Sequence, residues 1–354
     1  MSETVIRERE PADLAAIMDE MAGYHFEFER TLANHAPMVL VALSRLGASS
    51  ERLRDFFETY REANGLFAVR PPVRPIDPAH WQDALGDRER EADYRAFFAA
   101  EVERLGIDGA LNSYLTPLAP GIGASALHAL MRTAYAVLRQ DDNDVAIALG
   151  YWASAYLEMP RATGAPPLTD DPAEVLVRTA AIEALHGKPE QPLLWHNMRQ
   201  SGMTSEFAPV VDWLDVTLQT MPKLAAASIA LFAATQEFCA LHAVTGTHWV
   251  RLVLPYADET GRDLLVRHFV QCLAALMPQM GFPTLPDAAT LDAWRALPVP
   301  EWPEIEAAAA ASYDEHDVSL VFSAREEMAV YGDPLYRLAA ARRMKLVPAY
   351  GPEV

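Results

Sequence analysis

Apolar residues recur at spacings of three and four along most of the chain, which is the period of an amphipathic helix. In the first such segment, Leu14, Ile17, Met18 and Met21 would share one helix face. The alternation typical of half-buried strands is nearly absent. We therefore expect an all-α fold, with helices over residues 11–21, 38–46, 50–60, 88–105, 124–140, 144–157, 173–185, 207–218, 223–241, 258–277, 304–331 and 333–344.

Segments rich in proline and glycine separate these helices, over residues 70–80, 111–123, 161–172 and 283–303. Such residues favour turns and loops over regular structure. A chain of 354 residues could hold two average domains, but one large helical domain fits that length equally well. We interpret residues 161–172 as a surface connection, and residues 1–354 as a single multi-helix domain.

The composition is that of a globular protein, with 51% hydrophobic and 22% charged residues. The longest apolar segment, Leu224 to Ala234, ends at Thr235 and falls short of the roughly 18 residues that a membrane helix needs. The N-terminus lacks the apolar stretch of a signal peptide. Cys239 and Cys272 both lie in apolar helical surroundings, as free thiols do. These features predict a soluble cytoplasmic protein.

The formal net charge is -20, and the basic residues form no run or stripe. Nucleic acids and membranes are therefore not expected partners. A helical protein of this kind can form a homodimer, although no residue pattern identifies an interface.

One stretch, Cys239 to Arg251, contains two histidines six positions apart, His242 and His248. On an unbroken helix, six steps of about 100° would leave the two rings about 120° apart. The intervening Thr245-Gly246-Thr247 could bend or interrupt the helix and bring both rings to one cavity. The alternative is that His242 belongs to the core and His248 to the surface.

Five of the ten histidines lie in apolar helical segments or at their ends: His35, His128, His242, His248 and His316. Each alone is more often structural than catalytic. Imidazoles gathered in a core repel one another as cations and lose hydrogen bonds as neutral rings, unless a metal accepts their lone pairs. We therefore expect a central pocket lined by histidines. Iron, zinc, copper and nickel all accept imidazole ligands, so the residues leave the metal open.

Familiar local motifs for metals and cofactors are missing. The sequence contains no His-Glu-x-x-His and no Cys-x-x-Cys, and Glu183-x-x-His186 lacks the second copy that a di-iron bundle needs. Gly121-Ile-Gly123-Ala-Ser-Ala126 fits a loose dinucleotide fingerprint, but Pro117 and Pro120 before it exclude a central strand. A flavin or nicotinamide domain of the usual fold is not expected.

Several short motifs, in order from about residue 20 to residue 345, resemble the questin oxidase-like proteins. They are Asn34-His35 before an apolar helix that ends at Leu46-Gly47, Ala126-Leu127-His128, His242-Ala-Val-Thr245 with His248, and Asp314-Glu-His316 before Asp333-Pro-Leu-Tyr-Arg337. The resemblance implies an all-helical fold. It also implies oxygenation or ring cleavage of anthraquinone-type polyketides, with a Baeyer–Villiger-like outcome, as in the fungal members.

The same resemblance implies a non-haem Fe(II) held by histidines and a modified lysine. Carried over by motif, the histidine ligands are His35, His128, His242 and His248, and the lysine position is Ser319. Serine cannot be carboxylated, so this chain departs from the family there. The ligand that a modified lysine would supply could come instead from His316, from a neighbouring carboxylate of Asp314 or Asp317, or from water.

We therefore interpret the chain as a metal-dependent oxygenase, with iron as the expected metal, that acts on O2 and a planar aromatic or quinone substrate. Four aromatic residues are candidates to line an apolar substrate pocket, and the alternative is that they are ordinary core residues: Phe238, Trp249, Tyr313 and Phe322. A second hypothesis is a metal-free helical protein that binds a hydrophobic small molecule. A third is an oxidoreductase that consumes a reduced nicotinamide.

Overall fold

The computed structural model describes residues 11–348, so the first ten residues, which argued against a signal peptide, lie outside it. The described residues form helices and their connecting segments together with one short hairpin, and the expected all-α fold is confirmed. The helices are α1 (Ala12–Met21), α2 (Ala36–Arg45), α3 (Ser50–Asn64), α4 (Glu91–Leu118), α5 (His128–Arg139), α6 (Asp142–Ser154), α7 (Pro172–Arg178), α8 (Leu194–Gly202), α9 (Thr220–Thr235), α10 (Phe238–Val253), α11 (Glu259–Leu276), α12 (Ala288–Arg295), α13 (Trp302–Ala311), α14 (Glu315–Tyr331) and α15 (Leu335–Arg343).

The hairpin pairs β1 (Glu27–Phe28) with β2 (Leu32–Ala33) in antiparallel register, with Glu27 opposite Ala33. Short 3-10 segments connect several helices, at Glu29–Thr31, Pro78–Ala84, Arg88–Arg90, Ala119–Gly121, Thr179–Ala181, Glu183–Leu185, Ser205–Asp212, Leu254–Tyr256 and Met277–Met280. The hairpin leads directly into His35 and α2, so it fixes how the chain enters the core.

Side-chain caps begin many of the helices. Asp171 accepts a hydrogen bond from the Ala173 N–H at 2.9 Å, and Pro172 occupies the first turn of α7. Both features satisfy the backbone at a helix start, because a cap pairs an otherwise unpaired N–H and proline has none to pair. The cap of α3 is Ser49, which accepts a hydrogen bond from the Arg52 N–H at 3.2 Å.

One contiguous hydrophobic core draws buried residues from both ends of the described chain, from Leu14 in α1 to Ala341 in α15. Helix α10 lies at its centre and packs against α5, α9, α11 and α14. Nearly every residue of α10 is buried, including both of its histidines. The fold therefore brings helices that are distant in sequence around α10.

Two of the expected boundaries are wrong because tertiary packing outweighs local propensity. The connection predicted at 111–118 is helical, since Leu111, Leu115 and Leu118 are buried along one side and Pro117 falls only in the last turn. The break in α4 lies earlier, at Gly106 with φ of 70°, next to the predicted helix end at residue 105. The predicted helix at 207–218 is instead a 3-10 segment over Ser205–Asp212 with a proline inside it.

The expected interruption at Thr245-Gly246-Thr247 is also wrong, because α10 runs without a break from Phe238 to Val253. The helix boundary lies earlier, where Gln236 adopts a left-handed conformation with φ of 52° and ends α9. Gly246 has a packing role instead: a Cβ atom there would lie 2.6 Å from Phe269 Cε2 on α11. The glycine lets α10 and α11 approach closely.

The predicted helix at 304–331 is divided in two, as α13 ends at Ala311 and α14 begins at Glu315. Asp314 caps α14 by accepting a hydrogen bond from the His316 N–H at 2.9 Å. This division moves His316 from the middle of a long helix to the first turn of a new one. Among residues 11–348, no helix combines the length and apolarity that crossing a membrane requires.

We expect Gly246→Ala to destabilise the protein by about 1–3 kcal/mol, because the added methyl must push the Phe269 ring aside. Urea denaturation of the two proteins measures the change. In a Phe269→Leu background the same substitution should cost clearly less. A neutral or stabilising effect would contradict the close contact with Phe269, since alanine is the better helix former and would then show only that advantage.

Candidate metal centre

Four histidine rings lie in the core so that each is next to two of the others. The ring centroids are 4.5 Å apart for His35 and His128, and 5.7 Å apart for His128 and His242. The centroid of the His316 ring lies 5.9 Å from that of His242 and 5.0 Å from that of His35. We call these four residues the histidine cluster. Three of its members were predicted as metal ligands, and the fourth was predicted as an additional ligand.

Each member of the cluster lies at or near the start of its helix. His35 is the cap residue before α2, His128 is the first residue of α5, and His316 is the second residue of α14. His242 lies one turn into α10. Helix starts converge on the cluster because the sequence places each of these histidines next to a loop or turn.

In three of the four rings of the cluster, the Nδ1 atom contacts a backbone carbonyl oxygen. His35 Nδ1 lies 2.9 Å from the Ala33 carbonyl oxygen, His242 Nδ1 lies 2.8 Å from that of Phe238, and His128 Nδ1 contacts that of Ser125. A carbonyl oxygen can only accept a hydrogen bond, so these three Nδ1 atoms carry the proton. The neutral rings therefore present Nε2 lone pairs. His35 Nε2 and His128 Nε2 face each other at 2.7 Å.

Burial keeps these imidazoles neutral. It lowers the pKa of His35 well below its ordinary value, and lowers the pKa of His128 to about 4 and that of His242 to about 3. Neighbouring imidazoles lower the pKa values further, because a second positive charge in the cluster would be repelled. At neutral pH the cluster offers uncharged nitrogen lone pairs, which is the form that metals bind.

The solvent-facing side of the cluster carries an aromatic ring and two carboxylates. The Phe238 ring lies 4.8 Å from the rings of both His242 and His316, and the residue is 46% exposed. Asp314 Oδ1 lies 3.3 Å from His316 Nδ1, and Glu315 Oε1 lies 3.8 Å from His35 Nδ1. Among residues 11–348, Asp314, Glu315 and His316 are the one set of three whose ligand atoms all lie within 4.8 Å of one another. Carboxylate oxygens thus border the imidazoles on this side.

His248 lies outside the histidine cluster. Because α10 is continuous, its ring is turned away from that of His242, and its Nδ1 lies 2.8 Å from Glu327 Oε1. Arg251 Nε also donates to this oxygen at 2.8 Å. Burial alone would raise the pKa of Glu327, but His248 and Arg251 outweigh it and hold the pKa below its usual range. The structure therefore gives His248 a carboxylate partner, while His316 completes the cluster.

Ser319 belongs to a row of polar residues that faces the core from α14 at four-residue spacing, Ser319, Ser323 and Glu327. The hydroxyl of Ser323 is buried without a hydrogen-bond partner among the described residues, and that of Ser319 lies next to Tyr135. Ser319 lies one turn after His316. The row begins beside the histidine cluster and ends at the Glu327–His248 pair.

The four aromatic residues predicted to line a substrate pocket lie in different places. Phe238 contacts the cluster, and Tyr313 is exposed, with the Arg52 guanidinium 4.2 Å from its ring centroid. Trp249 and Phe322 are buried in the core near His248, whose ring lies 5.6 Å from that of Phe322. Phe238 is the one of the four with a ring contact to the cluster.

Sequence reasoning missed the turn that holds His128. Ser125, Ala126 and Leu127 all adopt positive φ, at 47°, 57° and 71°, a conformation that costs non-glycine residues free energy. The Ser125 hydroxyl donates to Glu27 Oε1 at 2.7 Å, and Arg88 Nε donates to Glu27 Oε2 at 2.7 Å. These contacts hold the turn that presents the Ser125 carbonyl to His128. Nothing in the spacing of Glu27 and Ser125 indicates their contact.

Comparison with known proteins identifies the family. A family model described as questin oxidase-like matches residues 32–323, which include all four members of the histidine cluster. The chain belongs to the questin oxidase-like family. The resemblance inferred from the short motifs is confirmed. No curated protein matches the chain.

Membership of the questin oxidase-like family supports an oxygenase that acts on polyketide or anthraquinone compounds, with a small molecule and O2 as its substrates. The match ends at residue 323, so it includes Ser319 at the position where the family resemblance implies a lysine. The residues that the family model matches thus include the whole histidine cluster.

We expect the stability of the metal-free protein to fall as the pH drops from about 6.5 toward 4. Unfolded histidines bind protons below about 6.5, whereas the buried rings of the cluster stay neutral, so acid favours the unfolded state. His242→Gln should reduce the slope of unfolding free energy against pH by about 1.4 kcal/mol per pH unit. Urea denaturation of protein dialysed against EDTA between pH 7 and 5 measures the slopes.

The matched control is His80→Gln. His80 is exposed, and Asp77 raises rather than lowers its pKa, so its loss should not reduce the slope. Equal slopes for the parent and His242→Gln would show that His242 is not held neutral in the folded protein.

Proposed function

We propose that this protein is a non-haem metal-dependent oxygenase, with iron as the metal, that oxidises a planar aromatic or quinone substrate by Baeyer–Villiger-type or ring-cleaving chemistry. The observation that carries the proposal is the set of outward Nδ1 contacts in the histidine cluster, which leave Nε2 lone pairs facing inward. Two such lone pairs 2.7 Å apart repel each other unless a cation lies near them.

The residues present fit a metal ion. His35, His128, His242 and His316 would hold it through imidazole nitrogen, each ring oriented by a carbonyl or carboxylate behind it, as metal-binding histidines usually are. When bound, iron would supply the redox chemistry that amino-acid side chains lack and that reaction with O2 requires.

Glu315 is our candidate for the anionic group that the family resemblance assigns to the lysine position. Asp314 and Asp317 both pair with Arg343, with N···O distances of 2.8 and 2.5 Å. Glu315 Oε1 instead lies 3.8 Å from His35 Nδ1, so its carboxylate borders the cluster from the solvent-facing side. Its Oε1 atom can also accept a proton from a phenolic hydroxyl of a substrate on the solvent-facing side.

Phe238 would bind the substrate ring. Its partly exposed ring lies against His242 and His316, so a planar molecule stacked on it would lie beside the cluster. Stacking on such a ring contributes about 0.5–1.5 kcal/mol beyond the area it buries. In this proposal Phe238 binds the substrate ring and Glu315 accepts a proton from the substrate hydroxyl.

We expect protein purified without a metal-binding tag to contain near-stoichiometric iron, and His316→Ala or His242→Ala to lose it. His248→Ala should retain the iron, because His248 pairs with Glu327 outside the cluster. Elemental analysis measures the content, and circular dichroism checks that each variant folds. His268→Ala is the matched control, since His268 is a buried histidine on α11 whose Nδ1 contacts Gln271.

Two outcomes would contradict this expectation. If His248→Ala lost the iron and His316→Ala kept it, the ligand set predicted from the motifs, with His248 rather than His316, would be supported instead. Absence of metal from the parent, even after anaerobic incubation with ferrous iron, would refute the metal-dependent reaction. That result would favour the alternative of a metal-free protein that binds a hydrophobic small molecule, which Ser319 in place of lysine supports.

We expect the iron-loaded protein to incorporate 18O from labelled O2 into a hydroxyanthraquinone, detected by mass spectrometry, and EDTA-treated protein to be inactive. Phe238→Ala should raise KM about tenfold by removing the stacking ring. Tyr313→Ala, which removes an exposed ring held by Arg52, should raise it less. Parallel reactions with and without reduced nicotinamide test whether a reductant is consumed. Incorporation of label only from water would contradict the oxygenase assignment.

A further inference from the structure

A second candidate binding site is a pocket that contains none of the histidine cluster residues. A pocket of about 670 Å³ opens between residues 155–161 and helix α8. Its lining combines three arginines from separate segments, Arg88, Arg161 and Arg199, with two aromatic residues, Tyr156 and Trp195. The histidine cluster contributes none of these residues.

The charge of this pocket is opposite to that of the chain as a whole. The formal net charge of the protein is -20, yet the pocket lining contains three guanidinium groups and one carboxylate, Glu158. Arg161 Nε pairs with Glu158 at 2.8 Å, and Arg88 pairs with Glu27. Arg199 forms no ion pair with any described residue. A cationic pocket on an acidic protein attracts anions locally.

One polar donor in the pocket also lacks a partner. The Trp195 Nε1–H is buried without a hydrogen-bond partner among the described residues, whereas the Tyr156 hydroxyl lies next to Arg161. An indole N–H can only donate, so it requires an acceptor oxygen. The Arg88 guanidinium lies 4.6 Å from the Trp195 ring centroid, so cation and aromatic face are already paired.

The Gly121-Ile-Gly123 motif, which resembles a dinucleotide fingerprint but follows no strand, has a structural role at this pocket. A Cβ atom on Gly121 would lie 2.1 Å from Tyr156 Cδ2, so the Tyr156 ring packs directly on the glycine backbone. Any larger residue at 121 would displace the ring from the pocket wall. The motif therefore shapes this pocket.

We propose that this pocket binds a planar aromatic anion, a ring system that carries a phosphate, sulfonate or carboxylate group. Arg199 and Arg88 would pair with the oxyanion, because guanidinium groups match its geometry and charge. The Trp195 indole would donate to an anion oxygen, and the aromatic walls would contact the ring. A nucleotide and an ionised quinone both have this chemistry.

The hydrogen bonds around Arg88 determine which variant tests the proposal. Arg88 is bound to Glu27, which accepts the hydroxyl of Ser125 beside His128, so its removal would also disturb the histidine cluster. Arg199 has no such contacts. Arg199→Ala removes a pocket charge without breaking an ion pair among the described residues.

The experiment is isothermal titration calorimetry of the EDTA-treated protein. The two aromatic anions are AMP and anthraquinone-2-sulfonate, and inorganic phosphate is the anion without a ring. We expect at least one aromatic anion to bind, and Arg199→Ala to weaken that binding about tenfold. Trp195→Phe should weaken it as well, because it keeps a ring but removes the N–H donor. Arg178→Ala is the matched control: it removes an exposed arginine, paired with Glu174 on α7, and changes the net charge equally.

Binding of AMP alone would support a nucleotide as the natural ligand, and binding of the sulfonate alone would support a quinone. Sulfonate binding that belongs to this pocket should be weakened in Arg199→Ala and kept in Phe238→Ala, whereas sulfonate binding at the substrate side of the cluster should be lost in Phe238→Ala and kept in Arg199→Ala. The proposal is overturned if neither aromatic anion binds, if phosphate binds as tightly as they do, or if Arg178→Ala weakens binding as much as Arg199→Ala. Because the protein is metal-free in this assay, the result is independent of the proposed oxygenase activity.

Discussion

A hydrogen-bond acceptor behind each imidazole is the contact on which the histidine cluster depends. The carbonyl oxygens of Ala33, Ser125 and Phe238 accept from Nδ1, and Asp314 takes this position behind His316. This contact selects the tautomer, orients the ring and leaves the other nitrogen free. Without it, a buried neutral imidazole could turn either nitrogen inward. The helices bring the rings together, but the acceptors give them a common direction.

Local sequence patterns predicted two of the four cluster positions well. His35 and His128 were each expected near the start of an apolar helix, and they lie at the cap of α2 and the first residue of α5. Signals for a helix start are local, because caps, proline in the first turn and apolar periodicity all lie within a few residues. Such signals place a side chain on an element, but they do not say which elements meet.

The choice between His248 and His316 could not be made from local patterns. A glycine between two threonines is compatible both with a helix break and with close packing of helices, and only the Phe269 ring of α11 decides between them. The run of alanines before His316 favoured one long helix, whereas Asp314 caps a new one there. In both places the deciding contact is remote in sequence.

The turn at Ser125 to Leu127 lies beyond prediction for a related reason. Three successive non-glycine residues with positive φ oppose local propensity, at a cost of about 1–2 kcal/mol each. Tertiary contacts must offset this cost, including the hydrogen bond from Ser125 to Glu27 across 98 positions. Sites that store such strain are where reasoning from propensity is expected to fail.

The meeting of helix starts at the histidine cluster also has an electrostatic consequence. The beginning of a helix carries a partial positive charge, and the cluster lies at or near four of them. Added to uncharged imidazole ligands, this field favours the lower charge state of any redox-active metal bound there. The Asp314 and Glu315 carboxylates beside the cluster act in the opposite direction, so the helix starts offset part of the field of these anions. The direction of the helices thus makes the backbone part of the electrostatics of the cluster.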